Sequence, residues 1–236
     1  MIAGSCSPGA TQGLISYWNF DQNGAAVLDQ IGGKNGTWNG TTNNHYSSSF
    51  SPNFNTAGNF SGSNDGTNNG DYVSLGNSWP VIMQPNLTVA AWIYPTKNGS
   101  YPLIIIGGQQ YYGSSQFMLS YMNNAVSWVV NSADGNGSHA YSTQASASLN
   151  NWHLVVATLN GSSAKLYIDN NSPVTQTTPS GFQFNNNPTE FFVMGRTNSS
   201  NYAAHYRGKI DEVRIYNTAL DSNAVSSLYG NGLGCI

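Results

Sequence analysis

Charge is what this sequence has least of. Only 7% of its 236 residues are Asp, Glu, Lys or Arg, and the net charge is -3. With seven Lys and Arg in all, no basic stripe exists to track a phosphate backbone, which argues against nucleic-acid binding. No run of about 18 apolar residues occurs, so no membrane-spanning helix is expected. The first residues, Met-Ile-Ala-Gly-Ser-Cys, hold neither a basic nor an apolar leader segment. A signal peptide is therefore expected to have been removed or never present, and a pilin-like apolar N-terminal helix is not expected. Cysteine is down to two, Cys6 and Cys235, at opposite ends of the chain.

Little charge often means disorder, but here 39% hydrophobic and 12% aromatic residues can fill a sizeable core. Asn, Ser, Thr, Gly and Tyr supply the polarity, a balance suited to a surface-exposed protein. The length fits one large all-β domain.

Strand signals follow one another without a repeat or a linker. Residues 13–20 alternate, with Leu14, Ser16, Trp18 and Phe20 on one face and Ile15, Tyr17 and Asn19 on the other. Residues 41–70 are rich in Thr, Asn, Ser and Gly and read as short edge strands and loops. Residues 87–95 give a strong strand with Leu87, Val89, Ala91 and Ile93 on one face, ended by Pro95. Residues 103–107 read as a fully buried strand. Hairpins are expected around residues 122–124 and at 160–163. Residues 190–196 read as the penultimate strand, and 210–216 as the last, where Asp211, Glu212 and Arg214 cluster in a chain otherwise poor in charge. A short helix then follows, capped by Asp221 or Ser222, with Ala224, Val225, Leu228 and Tyr229 at helical spacing.

Four segments together resemble the laminin-G-like branch of the concanavalin A-like lectin/glucanase superfamily, from about residue 13 to 230. They are the Trp18 strand with the loop from Asp29 through Gly32 to Asn35 and Gly36, the Asp71-Tyr72-Val73 strand, the pair Trp152-His153 and Leu166-Tyr167-Ile168-Asp169, and the closing Ile210-Asp211-Glu212-Val213-Arg214 strand. The resemblance implies a single domain over residues 1–236: an all-β, two-sheet antiparallel jelly-roll sandwich with one short C-terminal helix. It further implies a structural Ca2+ between the early loop and the closing strand, with Asp29, a Gly32 carbonyl, Asn35 and the Asp211 carboxylate as ligands and Asp21 and Asp71 in reserve. Ordinary Asx-turns and salt bridges would explain the same residues. A jelly roll brings its ends together, so Cys6 and Cys235 could bridge, which would contribute about 5 kcal/mol in the chain-entropy picture. Two free thiols or a bond between subunits stay open.

The superfamily includes glucanases, yet catalysis is not expected. Glycoside hydrolysis needs two carboxylates about 5 to 9 Å apart, and the only glutamates, Glu190 and Glu212, do not form the family's clustered glutamate run. Nor does the sequence show a nucleophile elbow, a phosphate loop or His/Cys metal spacing. Aromatic platforms for sugar rings are sought at Tyr111 and Tyr112, at Trp128 with His139 and Tyr141, and at Tyr202, His205 and Tyr206; core packing or subunit contact would also explain each. Glycosylation sequons begin at Asn35, Asn39, Asn59, Asn98, Asn136, Asn160, Asn170 and Asn198, and at Asn86 at the head of a core strand. The reading is a secreted, extracellular, non-catalytic lectin-like domain for carbohydrate binding or cell-surface adhesion, with glycans as partners. The alternative is a structural subunit of an extracellular filament or sheath, with copies of itself as partners.

Overall fold

The computed structural model describes residues 11–40, 44–49, 54–61, 70–77, 86–99, 101–108, 116–133, 138–179, 181–184, 191–199 and 202–231, with backbone alone at 133, 138, 139, 197–199, 202, 203 and 231. In chain order the strands are β1 (Leu14–Trp18), β2 (Ala26–Val27), β3 (Gly36–Asn39), β4 (Tyr46–Ser48), β5 (Thr56–Phe60), β6 (Tyr72–Asn77), β7 (Asn86–Pro95), β8 (Leu103–Gly108) and β9 (Phe117–Met122). They continue as β10 (Ala125–Ala133), β11 (Ser138–Ser146), β12 (His153–Asn160), β13 (Ser163–Ile168), β14 (Val174–Thr177), β15 (Phe191–Met194), β16 (Arg196–Ser199), β17 (Tyr202–His205) and β18 (Gly208–Tyr216), before the helix α1 (Ser222–Asn231).

Two antiparallel sheets face each other. One runs β14-β13-β12-β7-β18-β5-β4 with β1 also on β18, and the other runs β11-β10-β9-β8-β15-β6-β3-β2. This is the expected jelly-roll sandwich. Alternation sends Leu87, Val89, Ala91 and Ile93 of β7 inward, against Phe117, Leu119 and Tyr121 of β9 and Val126, Trp128 and Val130 of β10. The outer face of the first sheet is apolar too, because α1 lies on it: Ala224, Val225 and Leu228 cover Ala90, Trp92, Leu154, Val156, Tyr167 and Tyr216.

Turn chemistry sets the registers. Asn123 and Asn124, both at positive φ (53° and 60°), close the β9–β10 hairpin with twist that matches the strands. Of the two caps the sequence offered, Asp221 serves: it accepts from the Ala224 amide at 2.8 Å at the start of α1. Gly208, at φ 139°, starts β18 where an added Cβ would lie 2.0 Å from the Tyr94 carbonyl oxygen, so only glycine fits.

Two expectations need correction. A bulge between Leu14 and Ser16 breaks the alternation of β1. Leu14 therefore packs under the helix while Ile15 joins the inter-sheet core, so Leu14 and Trp18 do not share a face. And β15 is not the penultimate strand, because residues 196–205 form the β16–β17 hairpin before β18. Its Asn- and Ser-rich sequence hid that ladder behind loop composition.

Candidate functional site

The closing strand gathers Lys209, Asp211, Glu212 and Arg214, and the last three are buried. Between Asp211 and Arg214 the pairing of β18 with β7 slips by a bulge, where Glu212 takes φ 52°. Ile210, Val213 and Ile215 still point inward, while Glu212 and Arg214 meet Tyr17 of β1 beneath the surface. The Tyr17 hydroxyl donates to Glu212 Oε1 at 2.7 Å, Arg214 pairs with Glu212 Oε2, and the guanidinium lies 4.6 Å over the Tyr17 ring. Burial raises the Glu212 carboxyl, opposed by the Arg214 charge and the Tyr17 hydrogen bond. Glu212 is thus sealed into an ion pair and is unavailable as a general acid or nucleophile.

Asp211 sits beside this pair, fully buried. Its Oδ1 accepts from the Glu212 amide at 2.8 Å, and its Oδ2 accepts from the Ser49 hydroxyl. Burial pushes its carboxyl up to about 9, and the nearby charges of Glu212 and Asp21 push the same way.

The early loop is built around Asp29. Its Oδ1 accepts from the amides of Tyr17 (2.9 Å), Ile31 (3.0 Å) and Gly32 (3.0 Å), and its Oδ2 from that of Lys34 (3.1 Å). Asn35 Oδ1 accepts from the Asp29 amide at 2.9 Å, and a Cβ on Gly32 would lie 2.2 Å from the Ile15 carbonyl oxygen. Asp29 and Asn35 therefore order the loop through amides. As arranged, Asp29, Gly32, Asn35 and Asp211 do not fit a calcium donor set, since the carboxylates of the set point at N–H and O–H donors. Of the reserves, Asp71 accepts from the Ser61 amide and hydroxyl, and Asp21 from the Thr56 amide and the Asn19 side chain. Among the described residues no three His, Cys, Asp or Glu side chains converge as metal ligands.

The aromatic candidates divide. Trp128 and Tyr206 are 0% exposed. Trp128 packs on Phe117 and Tyr206 on Phe60, so neither ring is a face for a sugar; the spacing of Trp128 with Val126 and Val130 was a core signal, whereas Tyr206 read as a loop residue. Tyr141 likewise packs edge-on against Phe182, and His205 is buried near Tyr72. Tyr111, Tyr112, Cys6, Cys235, Glu190 and Asn136 lie outside the described residues, as do the side chains of His139, Tyr202 and Asn198. Among the sequons, Asn39, Asn59 and Asn98 spend their Nδ2 on Thr37, Asn44 and Asn124, whereas Asn35, Asn86, Asn160 and Asn170 are exposed with Nδ2 uncommitted.

Two arrangements were not foreseen. Asp169 Oδ2 meets His153 Nδ1 at 2.9 Å, and His153 Nε2 lies 3.1 Å from Ser148 Oγ, an acid–imidazole–hydroxyl chain. Ser148 Oγ also accepts from Asn151, His153 Nε2 also faces the Ser148 carbonyl, and Asp169 Oδ1 accepts from the Leu154 amide, so the chain ties two turns together. The same Asp169 turn forms one wall of a cleft of about 310 Å³ against α1. Asn170, Asn171, Ser172 and Pro173 make that wall, Ser222, Val225 and Ser226 the other, and Tyr167 the base. Asn170 drew notice only as a sequon. Nothing in the spacing of residues 170–173 and 222–226 links the two segments before the fold is known.

Residues 65–226 match the laminin G family pattern described as the concanavalin A-like lectin/glucanases superfamily. No curated protein matches the chain. Among solved structures, domain 4 of AbnA, a GH43 extracellular arabinanase from Geobacillus stearothermophilus, in complex with arabinotriose, is similar at TM-score 0.62 and 18% identity, over 92% of this chain and 98% of that one. The binding domain of botulinum neurotoxin DC in complex with SialylT is similar at TM-score 0.64 and 15% identity, over 93% of this chain and 52% of that one. The binding domain of Paraclostridial Mosquitocidal Protein 1 follows at 0.62 and 13%, over 93% and 52%. The chain spans about half the length of these two binding domains.

Proposed function

The chain belongs to the concanavalin A-like lectin/glucanase superfamily, and from that premise we propose that it is a non-catalytic, extracellular carbohydrate-binding domain. The observation that carries this reading is the fate of the closing-strand carboxylates. In this fold a hydrolase would need accessible paired acids, and Asp211 and Glu212 are instead buried, one on Ser49 and one on Arg214 and Tyr17. The whole-domain likeness to an arabinanase domain solved with arabinotriose supports the carbohydrate half. So does a surface whose polarity is amide and hydroxyl, the groups that pair with sugar hydroxyls without desolvating charge. Calcium enters no step of this reading.

The test is incubation with insoluble neutral polysaccharides, arabinan among them, followed by measurement of bound protein and released reducing ends. Bound protein without released sugar is the expected result. Sugar release that is lost on Glu212→Gln would restore the hydrolase.

One feature favours a second reading, a subunit of an extracellular assembly. The nine-residue β11 is the end strand of its sheet and holds no Lys, Arg, Asp or Glu to discourage pairing with another copy.

A further inference from the structure

The cleft between α1 and the turn after β13 lies on the outer side of the first sheet, and none of the aromatic candidates named from the sequence lines it. Its walls are held before any ligand arrives. Asp169, at φ 56°, anchors one end of the turn through Leu154 and His153. Asn171 Nδ2 donates to the Ile168 carbonyl at 2.9 Å, and Ser226 Oγ donates to Asn170 Oδ1 at 2.7 Å, which joins turn to helix. That bonding leaves four groups unspent around the opening: Asn170 Nδ2, Asn171 Oδ1, and the hydroxyls of Ser172 and Ser222. Tyr167 at the base, with Pro173 and Val225 in the two walls, gives the lining its apolar surface.

The set selects a ligand class. An anion would meet no cation, since no Lys or Arg lines the cleft, and Asp221 beside it repels one. A metal ion would meet no carboxylate, because none lines it and Asp221 Oδ1 is spent on the helix cap. Mixed donors and acceptors of neutral character beside apolar surface suit a neutral sugar ring, whose hydroxyls both donate and accept while its C–H face is apolar. At about 310 Å³ the volume is at the small end of ligand pockets, which suits a terminal sugar unit.

We propose that this cleft, between residues 170–173 and the first two turns of α1, is a binding site for a neutral saccharide end. The proposal rests on the carbohydrate-binding reading and adds where the sugar sits. Held walls reduce the ordering that binding must oppose.

The experiment uses the full chain made without N-glycosylation, so that Asn170 stays bare. Methyl glycosides of arabinose, glucose and galactose are titrated by saturation-transfer NMR and calorimetry. Inorganic phosphate serves as the anionic probe. Ser222→Trp places an indole across the mouth from an exposed helix position, and Ser172→Ala removes one hydroxyl. Melting curves confirm that both fold. For at least one glycoside the expected result is a tenfold or greater loss with Ser222→Trp and a several-fold loss with Ser172→Ala, with no phosphate binding. Glycoside binding equal to wild type in both variants overturns the cleft and leaves the carbohydrate-binding reading standing. Phosphate binding that Ser222→Trp abolishes overturns the ligand class. If wild type binds no glycoside and no neutral polysaccharide, both readings fall.

Discussion

Asp211 is buried on all sides, and burial lifts its carboxyl from 3.8 to about 9. Between those values the folded chain keeps a proton that the unfolded chain releases. Stability from this group is therefore fullest below about pH 4 and falls as pH rises toward 9. Asp211→Asn supplies a permanently neutral mimic. In chelator at pH 8 it is expected to raise the unfolding free energy by at least about 2 kcal/mol and to flatten the fall between pH 5 and 8. Denaturant titrations across that range check it. A variant less stable than wild type only when calcium is present would instead make Asp211 a metal ligand. Arg214→Ala leaves Glu212 buried without its counter-charge and is expected to cost about 3–5 kcal/mol. Tyr17→Phe removes only one donor and should cost about 1–2 kcal/mol. Equal costs for the two variants would show that the guanidinium does not hold the carboxylate.

Helix α1 and the Asp169 turn act as elements rather than as single side chains. The helix is only ten residues long, too short to persist alone, so its cap and its apolar face decide whether it stays on the sheet. Asp221→Ala is expected to cost about 1 kcal/mol. It should also raise amide exchange in α1 without raising it in β7, whereas a uniform rise would mean the helix has no independent opening. At this scale the sequence was readable wherever period and turn chemistry agreed. The row from Leu87 to Ile93 on one face, the Asn123-Asn124 turn and a cap at Asp221 or Ser222 were all legible in the residues. It misled where a bulge resets the alternation, as at Leu14 and Ile15, because one inserted residue leaves composition unchanged. Contacts across many residues, such as Ser226 with Asn170, have no local signature.

For the whole molecule, the fold class was legible because four separated motifs point to one sandwich. The candidate site was less so. Trp128 and Tyr206 are core rather than platforms: a strand's alternation does not say which face meets solvent until the sheets are stacked, and Tyr206 lies between β17 and β18, where no periodicity marks it. The assembly reading belongs to this scale. Should β11 pair with a second copy, light scattering is expected to show oligomers that Ser142→Lys with Gln144→Lys disperses, the added charges repelling across the edge. Monomer at every concentration would end that reading.

The central claim is carbohydrate binding without hydrolysis, and affinity electrophoresis of the intact chain through gels containing neutral polysaccharides tests it most directly. Retarded migration that a soluble saccharide reverses, with the polysaccharide left intact, is the result expected. Unchanged migration in every gel, or polysaccharide cleaved along the protein's path, would contradict it.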